Sequence, residues 1–437
     1  MHAASLRTAA LTGWLAAGLF WSDAGAVEDY ELAPVHYYES RPGDAMARLR
    51  RNLEKGITVP PVSPGGTESL RWLLRELEVP EASQVLVFAK TSAQNDRIDP
   101  AHPRAVYFSD TCYVGWVQGG KAEVACAEAN LGMVFYTVDF RENALRPRVD
   151  RPEDCLSCHG SVRTGRVPGL LVRSVYADAE GFPLLSLGTF QTTDASPLEE
   201  RWGGWYVTGR HGGMMHLGNA WVDEETGIPR VMDPAAGNRW TLAGLVNTAP
   251  YLRSTSDIVA LMVLEHQTAM QNCLTRASMQ VRTALYRQKM LYEETGRVAP
   301  EKPEGSALRV IEHAAEEVLE RLLFLGEAEL RHGGVEGNEE FQEAFRMGRK
   351  INREGRSLRD FQLLTRMFKY RCSYMICSES FRALPPEVKE RIHQRLWTLL
   401  REGDPDGKFA YLSASERHRI FEILTDTMIE RPSWWTG

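Results

Sequence analysis

The sequence predicts an α+β fold, with a β-rich middle region followed by a mostly α-helical C-terminal half. Two observations carry this. Between Gln84 and Thr208 the apolar residues fall in short β-branched or aromatic runs broken by turn residues, and from Ser256 onward they recur at helical spacing. With 43% apolar and 25% charged residues in 437, the composition is that of a packed protein rather than a disordered one. The net charge of −7, with acids and bases mixed along the chain, leaves no basic stripe for a phosphate backbone, so nucleic acid is excluded as the expected partner.

Arg7 precedes an apolar run from Ala9 to Trp21 that ends at Ala24, Gly25 and Ala26, a small-residue cleavage pattern, so residues 1–26 read as a signal peptide. The run is shorter than the ~18 residues a spanning helix needs, and no later segment qualifies. The mature chain is therefore expected to be periplasmic or secreted, with no membrane span.

Residues 27–80 read as an N-terminal helical arm, with a helix from Ser69 to Leu77 behind the Pro/Gly-rich connector Val59 to Gly66. In the β-rich region, 81–255, strands are expected at Gln84 to Phe88, Ala105 to Phe108, Cys112 to Val117, Val124 to Ala127 and Met133 to Val138, and again at Gly169 to Tyr176, Leu184 to Phe190 and Gly204 to Thr208. Counting outward through a turn of Gln118, Gly119 and Gly120 sets Cys112 opposite Cys126, which predicts a cross-strand disulfide. The region 256–437 is expected to be helical from Ser256 and Asp257, then near 306–325, 339–353, 358–380, 386–402 and 413–429.

The run Asp154, Cys155, Leu156, Ser157, Cys158, His159 contains CxxCH. Two intervening residues let both sulfurs form thioethers with the vinyl groups on one porphyrin edge, and the next imidazole then meets the iron. The motif thus reads as one covalent haem c held by Cys155, Cys158 and His159. Composition alone yields on the order of 0.003 chance matches. A zinc site would want a second Cys or His pair at short spacing, and a thiol oxidoreductase would want CxxC where a strand opens a helix, whereas Pro147 and Pro152 make a loop approach. That leaves Cys273, Cys372 and Cys377 beside the expected disulfide, an odd number, so at least one is free or pairs between molecules. Arg163 and Arg166 are either propionate partners or ordinary surface arginines.

CxxCH together with Gly165 to Gly169 resembles small c-type cytochromes over a short stretch. In that family a proline carbonyl receives the ring N–H of the proximal histidine, which implies Pro168 for that role. The wider run from Gln84 to Asn219, with YVGW, GMVFYT, DCLSCHGS and RWGGWYVTG, is similar to a group of exported bacterial proteins carrying one CxxCH, a likeness that assigns no reaction.

The second axial position decides between electron transfer and chemistry at the iron. The turn from Arg210 to His216 holds His211, Met214, Met215 and His216 among glycines, and His216 ranks first as distal ligand, then His211, then the methionines. His266 is a weaker candidate, on the same helical face as Val259, Met262, Val263 and Met270. Trp116, Tyr113, Trp202, Trp205 and Tyr206 read as core more readily than as walls of a haem pocket. A dedicated carrier needs only ~100 residues, so the extra chain implies a further purpose. The expectation is a haem c redox protein that exchanges electrons with a partner protein or a small-molecule donor or acceptor. The alternatives are a peroxidase or oxidase with an open distal site, or a haem-based sensor.

Overall fold

A mixed architecture results, an antiparallel sheet in the middle of the chain and helices after it, as the two hydrophobic periods predict. The computed structural model describes residues 28–61, 66–140, 147–222 and 237–435, and the expected signal peptide lies outside them. Among the described residues no helix is long and apolar enough to cross a membrane.

Two helices come first, α1 (Ala45–Glu54) and α2 (Thr67–Glu76). Seven strands make the main sheet: β1 (Val85–Val87), β2 (Arg104–Phe108), β3 (Cys112–Trp116), β4 (Ala122–Glu128), β5 (Gly132–Asp139), β6 (Arg148–Asp150) and, much later, β9 (Trp205–Tyr206). Their order is β6-β5-β4-β3-β2-β1-β9. Between them come the one-turn helix α3 (Leu156–His159) and a separate ladder of β7 (Arg173–Val175) with β8 (Thr189–Gln191). The expected strands around β7, β8 and β9 are thus real but shorter than predicted, because Gly181, Gly188 and Gly204 turn the chain with positive φ.

Register fixes which residues share a face. Val106 pairs with Gly115, Gly115 with Glu123 and Glu123 with Thr137, so these four line one face, joined two residues along by Arg104, Tyr113 and Phe135. The opposite face carries Tyr136, whose hydroxyl bonds Asp44 Oδ2 at 2.5 Å while Asp44 Oδ1 caps α1 through the Ala47 amide. Trp72 of α2 meets Phe140 edge to face, so α1 and α2 cover that side.

Helix α4 (Ile258–Glu294) crosses the first face, where Gln267 Nε2 donates to the Tyr113 hydroxyl at 2.6 Å. Asp257 caps it through the Val259 and Ala260 amides, the start the sequence predicts. Next come α5 (Gly305–Leu322), α6 (Glu339–Met347), α7 (Glu379–Arg382), α8 (Pro386–Arg401) and α9 (Ala414–Thr427). The expected helix over 358–380 does not form. Leu363 takes a left-handed conformation (φ 58°) and Phe361 folds back on Phe368 with rings 5.3 Å apart, so apolar residues at helical spacing serve an irregular aromatic cluster instead.

Candidate functional site

The CxxCH segment is a single helical turn pinned at its far end. Buried Leu156 anchors α3, the His159 amide reaches the Cys155 carbonyl at 3.0 Å, and Ser161 and left-handed Gly165 (φ 75°) turn the chain back. The Gly169 amide then donates to the His159 carbonyl at 2.8 Å, and His159 Nδ1 lies 2.9 Å from the Gly169 carbonyl. A ring nitrogen facing a carbonyl must carry the proton, so the lone pair is on Nε2, which has no hydrogen-bond partner among the described residues. Burial holds the His159 pKa below its ordinary value against the pull of the Gly169 carbonyl, keeping the ring neutral. Phe135 packs against the imidazole with centroids 4.6 Å apart.

Gly169, rather than Pro168, therefore supplies the carbonyl that orients the histidine. The Pro168 carbonyl is taken by the Met133 amide of β5 at 3.0 Å, while a Cβ on residue 169 would press on Asn272 and Thr164. Asn272 of α4 holds the next residue with both ends of its amide, Oδ1 to the Leu170 amide at 2.8 Å and Nδ2 to the Leu170 carbonyl at 2.7 Å.

Cys155 is half-buried and Cys158 exposed. Burial, with Asp154 second, pushes the Cys155 thiol up to about 11, opposite to the depressed thiol of a CxxC oxidoreductase. Among the described residues no three His, Cys, Asp or Glu side chains converge to hold a metal ion. Zinc needs that convergence. Attachment of haem needs the thiols and Nε2 to address different atoms of one flat ligand.

Arg166 is 63% exposed and engaged by Glu28 at 3.2 Å. Arg163 lines a cleft of about 310 Å³ beside the motif with Gln191, Asn272, Cys273, Arg276 and Arg321. Two charged residues that sequence reasoning missed act on the imidazole from the main sheet. Arg104 Nη2 is 2.7 Å from Glu123 Oε2, and both act electrostatically on His159. Glu123 also accepts from Ser92 and Gln94. Burial raises its pKa, but Arg104 and these hydrogen bonds outweigh that and hold it below the ordinary value. Arg104 Nε is buried with no acceptor among the described residues, an omission worth about 1–3 kcal/mol. The only sequence signal was Gly115 inside a strand, the mark of a close approach: a Cβ there would overlap the Arg104 guanidinium.

The Arg210 to His216 turn makes no hydrogen bond, ion pair or ring contact with Cys155–His159 among the described residues. His211 and His216 are 1% and 7% exposed and face each other with centroids 4.8 Å apart, His216 also meeting Trp202 at 5.3 Å. The Gly218 amide donates to His216 Nδ1 at 3.0 Å, so Nδ1 accepts and the proton of the neutral ring sits on Nε2. Burial, then His211, pushes the His216 pKa down to about 3. His216 therefore has no lone pair to spare for iron in this arrangement. Neither His211 nitrogen makes a well-formed hydrogen bond among the described residues, Met214 Sδ accepts from the Arg331 amide at 3.3 Å, and Met215 is 38% exposed.

His266 is fully committed as well. Its Nδ1 is 3.3 Å from Asp194 Oδ1, its Nε2 is 2.7 Å from Ser373 Oγ, and Phe324 stacks on the ring at 4.3 Å. The order Asp, His, Ser is that of a nucleophilic triad, but all three are at most 3% exposed, and Ser373 Oγ caps the Met375 amide. This cluster is core. Trp116, Tyr113, Trp202, Trp205 and Tyr206 are also buried, with Trp205 Nε1 bonded to the Arg173 carbonyl at 2.7 Å. Cys112 and Cys126 pair in register and form a disulfide, with Cα atoms 4.3 Å apart. The chain matches no family model, no curated protein and no solved structure.

Proposed function

We propose that this chain is an exported haem c redox protein, with Cys155 and Cys158 as the thioether-forming residues and His159 Nε2 as the proximal iron ligand. The observation that carries this reading is the His159–Gly169 pair, which fixes the tautomer and leaves the Nε2 lone pair without a donor among the described residues. The bound group supplies a one-electron Fe(III)/Fe(II) couple. The chain's own residues orient and shield: Gly169 and Phe135 set the plane of the imidazole, and Leu156 anchors the turn that presents both thiols. Electron exchange with a partner protein or a small donor or acceptor is the leading activity. Export is supported by the Cys112–Cys126 disulfide, which suits an oxidising compartment.

A second reading, an enzyme or sensor with an open distal position, is favoured by one observation: His216, the first-ranked distal candidate, spends its Nδ1 lone pair on the Gly218 amide. Protein made with a haem c maturation system should stain for haem on a denaturing gel, and Cys155→Ala with Cys158→Ala should not. An unstained parent band overturns the proposal. A low-spin ferric spectrum indifferent to cyanide and carbon monoxide selects electron transfer, and a high-spin band that shifts with cyanide selects the second reading.

A further inference from the structure

The Arg104–Glu123 pair carries more than a surface ion pair would. Glu123 has three donors: the Ser92 hydroxyl lies between its two oxygens at 2.9 and 3.1 Å, Gln94 Nε2 donates at 3.0 Å, and Arg104 Nη2 lies at 2.7 Å. Gln94 is itself locked to the backbone of Lys121, its Oε1 receiving the amide at 2.8 Å and its Nε2 donating to the carbonyl at 3.1 Å. Arg104 is the unsaturated member, with a buried Nε–H that finds no acceptor among the described residues. Its guanidinium lies across β3 where Gly115 has no side chain. Phe135, which packs on the His159 ring, belongs to the same sheet face.

We propose that Arg104 is an anion-binding residue of the haem site, receiving a carboxylate or other small anion beside His159, with Glu123 as the residue that positions it. This rests on the haem reading above. The physical reason is donor accounting. A guanidinium offers five N–H groups in a planar fork suited to bidentate oxyanion recognition, and a network that gives Glu123 three donors while leaving the buried Arg104 Nε–H without an acceptor among the described residues holds the fork ready for a further anion. Two sources fit that chemistry: a propionate of the haem, or an exogenous anion taken up beside the imidazole.

The test compares haem-loaded parent protein with Arg104→Gln, Arg104→Lys and Gly115→Ala, the last displacing the guanidinium without altering charge. Arg287→Gln, an exposed substitution on α4, is the control. Haem staining of each variant is scored first, so an unstained parent sinks the haem reading while an intact parent leaves the anion proposal to be judged by itself. Azide and fluoride are titrated into the ferric protein, and midpoint potentials are measured. An at least tenfold weaker azide or fluoride affinity in Arg104→Gln and Gly115→Ala, with Arg104→Lys intermediate, supports the proposal and identifies an exogenous anion. Unchanged anion binding, or none even in the parent, with a potential lowered in the same two variants supports it and identifies a propionate. Affinities within twofold and potentials equal to the control overturn it. Should Arg104→Gln fail to fold, Gly115→Ala and Arg104→Lys decide.

Discussion

His159 and Gly169 hold each other twice: the imidazole Nδ1 is 2.9 Å from the Gly169 carbonyl, and the Gly169 amide returns a 2.8 Å hydrogen bond to the His159 carbonyl. The imidazole is thereby fixed to its own backbone through a closed loop. That loop is tied to the body of the protein on either side of Gly169, by the Met133 amide at the Pro168 carbonyl and by Asn272 at Leu170.

Asn272→Ala removes both hydrogen bonds to Leu170 in a buried place and leaves a backbone N–H and C=O without partners. The expected loss of stability is about 2–4 kcal/mol, read as a lower urea midpoint with an unchanged slope. Faster hydrogen exchange at the Leu170 amide should accompany it. An unchanged midpoint would mean that the 159–170 loop is held without Asn272, as by the Met133 amide at the Pro168 carbonyl.

The Cys112–Cys126 bridge closes a loop with a sequence separation of 14. Non-reducing peptide mapping should recover the two cysteines joined, and replacing both by Ala should cost roughly 3 kcal/mol in the chain-entropy account. Recovery of both as free thiols from the oxidising compartment would remove this bridge.

That bridge is legible in the sequence because a strand has a period of two and a Gly-Gly turn fixes where the count starts, so register follows by arithmetic. CxxCH is legible because its spacing encodes the geometry of a ligand rather than of the fold. Assigning the supporting carbonyl to Pro168 misses by one residue, since the Met133 amide of β5 claims that oxygen and only the tertiary fold decides this. Arg104 and Glu123 are further out of reach: each is an ordinary charged residue in an alternating strand, and they meet only because β3 lies between β2 and β4 with a glycine at the crossing. The failed helix over 358–380 has the same cause, a helical spacing of aromatics recruited by a cluster around Phe345, Phe368 and Tyr374.

His393 makes the fold acid-sensitive. It is 4% exposed, with Phe381 and Trp435 against its ring, and burial pushes its pKa from 6.5 down to about 4. Between those values the unfolded chain binds a proton that the native ring refuses, so stability rises with pH across the window and is lost as pH falls through it, by about 1.4 kcal/mol per unit. Taking the pH from 6.5 to 5 should therefore cost the parent about 1.5 kcal/mol more than His393→Leu, the contributions of other groups cancelling in the difference. Parallel stability curves for the two proteins would contradict the buried neutral state of this histidine.

The last prediction concerns the 210–216 turn. A histidine ligates iron through a nitrogen lone pair, and in His216 the Gly218 amide already uses the lone pair on Nδ1, leaving the proton on Nε2. For Nε2 to reach iron, the proton would have to move to Nδ1, the Gly218 hydrogen bond would break, and a ring packed on Trp202 and His211 would have to leave a site where it is 7% exposed. His216→Ala and His211→Ala in the haem-loaded protein should accordingly keep the parent's ferric and ferrous spectra and its response to carbon monoxide. His216→Ala should still lower stability by about 2–4 kcal/mol through the cavity left beside Trp202. A shift to high spin in His216→Ala, with new carbon monoxide binding in the reduced form, would show instead that the turn swings onto the iron when haem is attached, and the distal side would then be closed by this residue after all.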